Sequence, residues 1–448
     1  MTGTEVIAAP LLDEVLVALL RRGLPDVEVF AKRGRSRRLE TSPVTEASVF
    51  SQEQGWAVRA GDPRRSFFAT GTGEPTRDGP WPEPTGRPVK LPEPGPGGPA
   101  QPWNEPSDFS APLIGEREGL KLLESLGREL ASELPGARLL RAALEDGSSE
   151  SEIVNSRGVR ARSRNRVATL YLEAAGPGRA ASASIYLAAR EARRFHPTAL
   201  ARRLADRLAI ASQGGAPPAS PGTDGGELLL APPVMARLLC GLLPLLVGPK
   251  AGTLFAGLRD RRGRIGSEHL TLIDNGRLPG GALESPVDGE GVPTREVVLV
   301  EEGAFRQSLL TWSQAESHPN TGVPSGCTRR PGWRDLPAAG PTHLYLKPDP
   351  RVPVAALLGS IARGYYLIDV AGGGRFDPGS GTFALPVCGF AVEGGRASAP
   401  VARAWLCGGI GDLLQGIAGT ARDLTFLPLT GMIGAPTVLA TGLELRAG

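Results

Sequence analysis

The sequence predicts an α+β fold, with an N-terminal α/β-layered region containing antiparallel strands and a β-rich C-terminal domain. Three observations lead there. Gly (60) and Pro (42) together exceed a fifth of the 448 residues, which favours many turns and short strands over long helices. Apolar residues recur at helical spacing in only a few windows, whereas short apolar or alternating runs bounded by Gly and Pro recur along the chain. The length also exceeds what one small core needs, which points to two or three domains.

Leu11 to Arg22 carries apolar residues at 11, 12, 15, 17, 19 and 20, one face of an amphipathic helix. Val27–Lys32 alternates as a strand, and strands are expected near Ala47–Ser51 and Gly55–Arg59. From Glu74 to Pro106 the chain is Pro/Gly-rich, with eleven prolines between Pro75 and Pro106. Such a segment buries too little apolar surface to order itself, so 74–106 reads as an extended, mobile insertion. A Pro-rich ligand for a recognition domain is the functional alternative. Helix resumes over Gly115–Leu134, where Leu120, Leu122, Leu123, Leu126, Leu130 and Leu134 share a face. Strands are expected at Leu139–Leu144, Ser151–Asn155, Val159–Glu173 and Ala180–Ala189, with Val167–Glu173 and Ser182–Ala188 as a hairpin. Pro197–Ser212 is a helix with proline in its first turn. Residues 213–226, rich in Gly, Pro and Ser, read as a linker between an N-terminal region at 1–215 and a C-terminal domain at 227–448.

Beyond the linker the clearest strands are His269–Ile273, Arg295–Glu301, His343–Lys347, Ala384–Ala391 and Thr437–Leu445. Helices are expected near 234–246, 353–362 and 410–420. The apolar run from Leu228 holds Arg237 and prolines 232, 233 and 244, so it reads as a buried strand and helix rather than a membrane span. The N-terminal residues show no basic and apolar leader pattern, and the four widely spaced cysteines read as buried thiols in a reducing cytoplasm. A net charge of +3 over this length provides no phosphate-binding field, which argues against nucleic acid as a partner.

Motifs for catalysis are sparse. His196, His269, His318 and His343 each stand alone, with no short-spaced second ligand for a metal. No GxSxG elbow exists, and Cys327 with His318 forms no recognisable dyad. The glycine-rich run after Ala371 lacks the Lys-Ser/Thr of a phosphate loop and reads as a turn. Asp274, Asp288 and Glu290 gather on tight turns, where carboxylates either accept turn amides or hold a hard cation.

The same turns carry a specific resemblance. Thr271, Asp274, Gly276, Asp288, Glu290, Gly291, Pro293, Thr294, Leu299, Glu301 and Gly303 match a pattern of the TldD/PmbA family. Thr321-Gly322 with Arg329-Arg330, Asn155-Ser156-Arg157-Gly158, the Glu53–Arg59 strand and the closing run 434–439 resemble further elements of it, so the likeness spans almost the whole chain outside 74–106. In that family, TldD-type subunits carry HExxxH on a helix after an apolar strand, and a cysteine near the C-terminus completes a zinc site. TldE- or PmbA-type partners share the fold and lack the motif. An ungapped alignment places Cys240 at the first His, Gly241 at the Glu and Leu245 at the second His. The stretch 424–434 holds no cysteine. A catalytic zinc needs about three donors and a base near its water. The resemblance therefore implies no catalytic residue, no metal site and no cofactor here, with zinc expected only in a partner.

The expected function is a non-catalytic PmbA/TldE-like subunit. It would pair with a TldD-like metallopeptidase subunit (or with itself where none exists) to form a cytoplasmic peptidase acting on unfolded peptides. Asp274, Asp288, Glu290, Gly291, Pro293 and Thr294 would line the substrate cleft or serve as structural turns. A stand-alone peptide-binding or regulatory protein, or an autonomous hydrolase using another site, is the alternative. No membrane association is expected.

Overall fold

A computed structural model describes residues 9–94, 112–177, 182–213, 226–251, 263–318, 324–370, 372–377 and 379–447. Its first half is built on one antiparallel sheet. The strands are β1 (Asp26–Ser42), β2 (Thr45–Gly61), β3 (Ser66–Thr72), β4 (Arg138–Asn155), β5 (Arg160–Ala175) and β6 (Ser182–Ala189), in the order β3-β2-β1-β4-β5-β6. Helix α1 (Ala9–Arg21) lays Leu12, Val15, Leu16 and Leu19 on Val27, Val29, Val58 and Ala60. Helices α2 (Glu116–Glu133) and α3 (Pro197–Gln213) bury Leu123, Leu126, Leu130, Leu204 and Leu208 with Leu144, Leu170 and Leu172.

The strands of this sheet are longer than their alternation predicts. The runs at 47–51 and 55–59 are one strand, and so are those at 139–144 and 151–155. The polar stretch Glu145–Glu152 resembles a turn, yet it pairs residue by residue with β1 and β5. Cross-strand charges make that possible: Glu150 meets Arg33 at 2.5 Å and Arg164 at 2.9 Å, and also pairs with Arg162. The Pro-rich segment differs from expectation in another way. Residues 74–94 run without helix or extended ladder but are packed, not loose. Trp81 meets Trp56 edge-on with centroids 5.3 Å apart, Leu91 is buried, and Asn155 Nδ2 donates to the Pro92 carbonyl at 2.8 Å. Aromatic and amide contacts supply the burial that the prolines do not. The remainder of that insertion, 95–106, and most of the 213–226 linker lie outside the described residues.

The second half contains β7 (Glu227–Leu230), α4 (Pro232–Gly241), α5 (Leu243–Leu246), β8 (Leu272–Asn275), β9 (Glu296–Glu301), β10 (Ala304–Phe305) and α6 (Trp312–Ser317). It continues through β11 (Thr328–Arg329), β12 (Ala338–Ala339), β13 (His343–Leu346), α7 (Val354–Ser360), β14 (Arg363–Val370), β15 (Arg375–Asp377), β16 (Thr382–Glu393) and β17 (Arg396–Gly409). It closes with α8 (Ile410–Gly416), β18 (Ile417–Thr420), β19 (Thr425–Leu429), β20 (Gly431–Ala435), β21 (Val438–Ala440) and β22 (Glu444–Ala447). One sheet runs β18-β21-β7-β14-β16-β17-β22, with β15 beside β16; a second runs β10-β9-β8-β13-β20-β19. Residues of both sheets share one core with Leu238, Leu239, Leu242 and Leu246 of α4, α5 and the residue joining them. The helix expected over 410–420 stops at Gly416, because residues 417–420 pair with β21 instead. The strand expected at 437–445 divides at Gly442 into β21 and β22. Among the described residues no helix is long and apolar enough to cross a membrane.

Candidate functional site

Leu228–Leu230 form β7, parallel to β14 and antiparallel to β21, so both faces of this short strand are buried. Pro232 and Pro233 then start α4, where their missing N–H groups cost no helical bond. The helix ends at Gly241. Pro244 sits at the second position of α5 and cannot donate back to the Cys240 carbonyl, so Cys240 and Leu245 do not share one continuous helix. Cys240 is half-buried, with its Sγ 3.9 Å from Thr430 Oγ1 on the turn between β19 and β20. The structure thus brings the 424–434 stretch to Cys240. At Gly241 a β-carbon would run into the ring of Phe376 from β15, which is itself stacked on Phe383 at 6.0 Å. Leu245 is a core residue. One thiol, one hydroxyl, an aromatic ring and an aliphatic side chain do not fit a zinc ion that needs His, Cys or carboxylate donors. Among the described residues no three His, Cys, Asp or Glu side chains are grouped to hold a metal.

The acidic turns have a different character. The Asp274 carboxylate is buried and accepts the Thr342 N–H at 2.8 Å and its hydroxyl at 2.9 Å; burial raises its pKa to about 6. Asp288 accepts the N–H groups of Glu290 (2.9 Å), Val292 (3.0 Å) and Thr328 (3.0 Å). Burial, followed by the neighbouring Glu290 carboxylate, pushes Asp288 up to about 7 against the pull of those amides. Gly291 turns with φ of 80°, and a side chain there would press into Val159 and Ile153 of the first sheet. Pro293 bridges to Val287, and Thr294 bonds the Ser285 carbonyl through its hydroxyl.

Glu290 crosses between the two halves of the molecule. Its carboxylate accepts Arg59 Nη2 at 3.1 Å, Thr328 Oγ1 at 3.0 Å and the Trp312 N–H at 3.3 Å. Arg59 forks onto Glu28 at 2.9 and 2.6 Å, and Arg330 Nη2 reaches Glu28 at 2.6 Å while its guanidinium lies 4.4 Å from the Phe30 ring centre. Burial acts to raise the Glu28 pKa, but the two guanidiniums outweigh it and hold the group at about 2. Four alternating charges are therefore buried where sheet one meets the acidic turn. Arg59 and Arg330 carry family-like motifs in sequence, but Glu28 gave no signal beyond a charge on a strand.

Above this network lies a cleft of ≈ 570 Å³. Its floor is the face of the first sheet that shows Gly34, Ser36, Ser51, Gly147, Ser149 and Ser163; its roof includes Asp288, Thr294, Arg329 and Arg330. Of the residues singled out in sequence, Asp288 and Thr294 line the cleft, whereas Asp274, Glu290, Gly291 and Pro293 stand behind it. The floor was foreshadowed by Gly34 and Ser36 alternating with Arg33, Arg35 and Arg37 along β1. His343 is buried and neutral: Nδ1–H donates to the Asn275 carbonyl at 2.9 Å and Nε2 accepts the Leu283 N–H at 3.2 Å. Burial lowers its pKa to about 4. Cys327 is buried with its thiol far above the ordinary range, which disfavours a thiolate nucleophile.

The fold and this site define an α+β protein with a polar cleft between a long antiparallel sheet and a β-rich half. Residues 226–446 match the family model described as the PmbA/TldA metallopeptidase C-terminal domain, so the C-terminal half of the chain is a domain of the PmbA/TldD type. It is similar to an uncharacterised protein of Methanocaldococcus jannaschii, 28% identical over 224 residues, covering 48% of this chain and 50% of that protein. It is also similar to a metalloprotease TldD homologue of Buchnera aphidicola, 27% identical over 172 residues, covering 38% of this chain and 35% of that protein. The matched region thus spans half or less of these relatives' length. The crystal structure of TldE from Thermococcus kodakarensis shares the fold, with a TM-score of 0.82 at 18% identity over 97% of this chain and 99% of that one.

Proposed function

We propose that the chain is a non-catalytic TldE-like subunit. It pairs with a zinc-bearing TldD-like subunit in a cytoplasmic peptidase acting on unfolded peptides. The observation that carries this reading is the state of the α4–α5 turn. Phe376 fills the space a side chain at 241 would need, Leu245 is in the core, and Cys240 faces a threonine. Without a base or a ligand set, the turn has no means of activating water. The peptide part of the proposal is supported by the cleft, whose sheet floor carries serine hydroxyls beside Lys32, Glu53 and Glu145. A chain in extended form can lie there and hydrogen-bond through its backbone with little demand on sequence.

The test is reconstitution. The purified chain alone should hold substoichiometric zinc and leave a denatured protein substrate intact, while a mixture with an HExxxH-bearing homologue should cleave it. Stoichiometric zinc in the isolated chain, or metal-dependent cleavage without a partner, would overturn the proposal. Binding of unfolded peptide by the chain with no effect on any HExxxH homologue would favour the stand-alone binding protein instead.

A further inference from the structure

A second, smaller cavity of ≈ 100 Å³ lies away from the cleft, where β6, α3, α4, β14 and β19 converge. Arg203, Arg207 and Arg237 all border it, with Asp369 as the acidic member of the group. Arg207 is committed: its Nε lies 2.9 Å from Asp369 Oδ2, and its Nη1 donates to the Ser184 carbonyl at 2.6 Å. Arg203 and Arg237 have no hydrogen-bond or ion-pair partner among the described residues. One carboxylate therefore serves three guanidiniums, and two positive charges are left facing the same small space. Burial, followed by the nearby Arg207 charge, lowers the pKa of Arg203, so its protonated form gains from an added anion. The remaining walls combine apolar Ile185, Val370, Leu427 and Leu429 with Ser184 and Tyr186.

We propose that this cavity is a binding site for a carboxylate carried on a small apolar residue, such as the free C-terminus of a peptide. Arginine forks suit the planar, two-oxygen geometry of a carboxylate. The aliphatic walls suit the carbon that carries it. The volume holds a carboxylate and a few methylenes, not a nucleotide. The site shares none of its lining residues with the cleft, so it stands whether or not the cleft takes peptide.

The experiment is a titration of the full chain, read by calorimetry or ligand-observed NMR. The probes are N-acetyl-Ala-Leu with a free carboxylate, the same dipeptide as its amide, and inorganic phosphate. The acid should bind, more weakly as salt rises, and the amide should bind at least about tenfold more weakly. Arg203→Gln and Arg237→Gln should each weaken the acid about tenfold while melting like the parent protein. Arg237 lies on the exposed side of α4, which keeps at least one variant safe to fold. Equal binding of acid and amide, acid binding that neither variant changes, or no acid binding overturns the site. Phosphate binding more tightly than the acid overturns its assignment to a carboxylate. A peptide held only in the cleft would bind equally as acid and amide and would not respond to either variant.

Discussion

Gly241 and Phe376 make the sharpest statement at the scale of single residues. The ring lies where any β-carbon would go, so Gly241→Ala should destabilise the protein by about 1–3 kcal/mol, as overpacking does elsewhere. Combining it with Phe376→Ala should cost less than the sum of the two changes, measured by urea unfolding. Additivity would show that the ring does not set the constraint. His343 makes a second prediction. Its pKa is depressed from 6.5 to about 4, so the folded state resists protonation that the unfolded chain accepts. The stability it contributes is present above pH 6.5 and is lost as pH falls toward 4. The stability advantage of the parent over His343→Gln should therefore shrink by about 3 kcal/mol across that window. Asp274 and Asp288 act in the opposite sense: their raised pKa values favour folding at low pH and weaken it as pH rises through 6 to 7. For this reason the His343 comparison must be a difference between two proteins and not a single profile. Leu245 was legible from sequence as apolar packing, whereas Cys240, expected as a buried thiol, is half-buried against Thr430, and the ring over Gly241 was not legible because Phe376 is 135 residues away in the chain.

Among elements, the 286–294 turn departs furthest from what its local sequence implies. Its glycine, proline and acidic residues announced a tight turn, and Asp288 behaves as such by collecting three amides. Glu290 does not: it leaves its own turn to join Arg59, Glu28 and Arg330. No local pattern reveals that, since its partner on β2 is 231 residues away and the Arg330–Glu28 pair spans 302. Glu290→Gln should cost about 3–5 kcal/mol by leaving a buried excess of positive charge. Arg59→Met in the same chain should recover part of that loss. A double-variant loss equal to the sum of the two single-variant losses, followed by denaturant titration, would mean the charges are not coupled. Strand boundaries were missed for a related reason. Glu145–Glu152 carries no apolar alternation, and its place in β4 depends on arginines of β1 and β5 that only the sheet brings alongside.

For the whole molecule, the α+β class and the β-rich second half were readable from composition and turn spacing. The sheet orders were not, because β7, β14 and β21 meet across long separations while contributing only three to eight residues each. The Pro-rich insertion was misjudged in its first part: Trp81 and Leu91 anchor 74–94 to the first sheet despite a composition that argues for disorder. Trp81→Ala should cost about 3–5 kcal/mol, like other truncations of buried aromatics, and should expose the segment to proteolysis near residues 74–94. Resistance to cleavage in the variant would show that the ring is not what holds the segment.

The packing of Phe376 against Gly241 also bears on history. If an ancestor held a working motif on this turn, restoring His, Glu and His at 240, 241 and 245 would not bring it back. The new Glu would meet the ring, the second His would enter a closed core, and Pro244 would still interrupt the helix. The changes at 241 and 245 each lower stability on their own. The packing around this turn therefore opposes a return to a metal-binding helix.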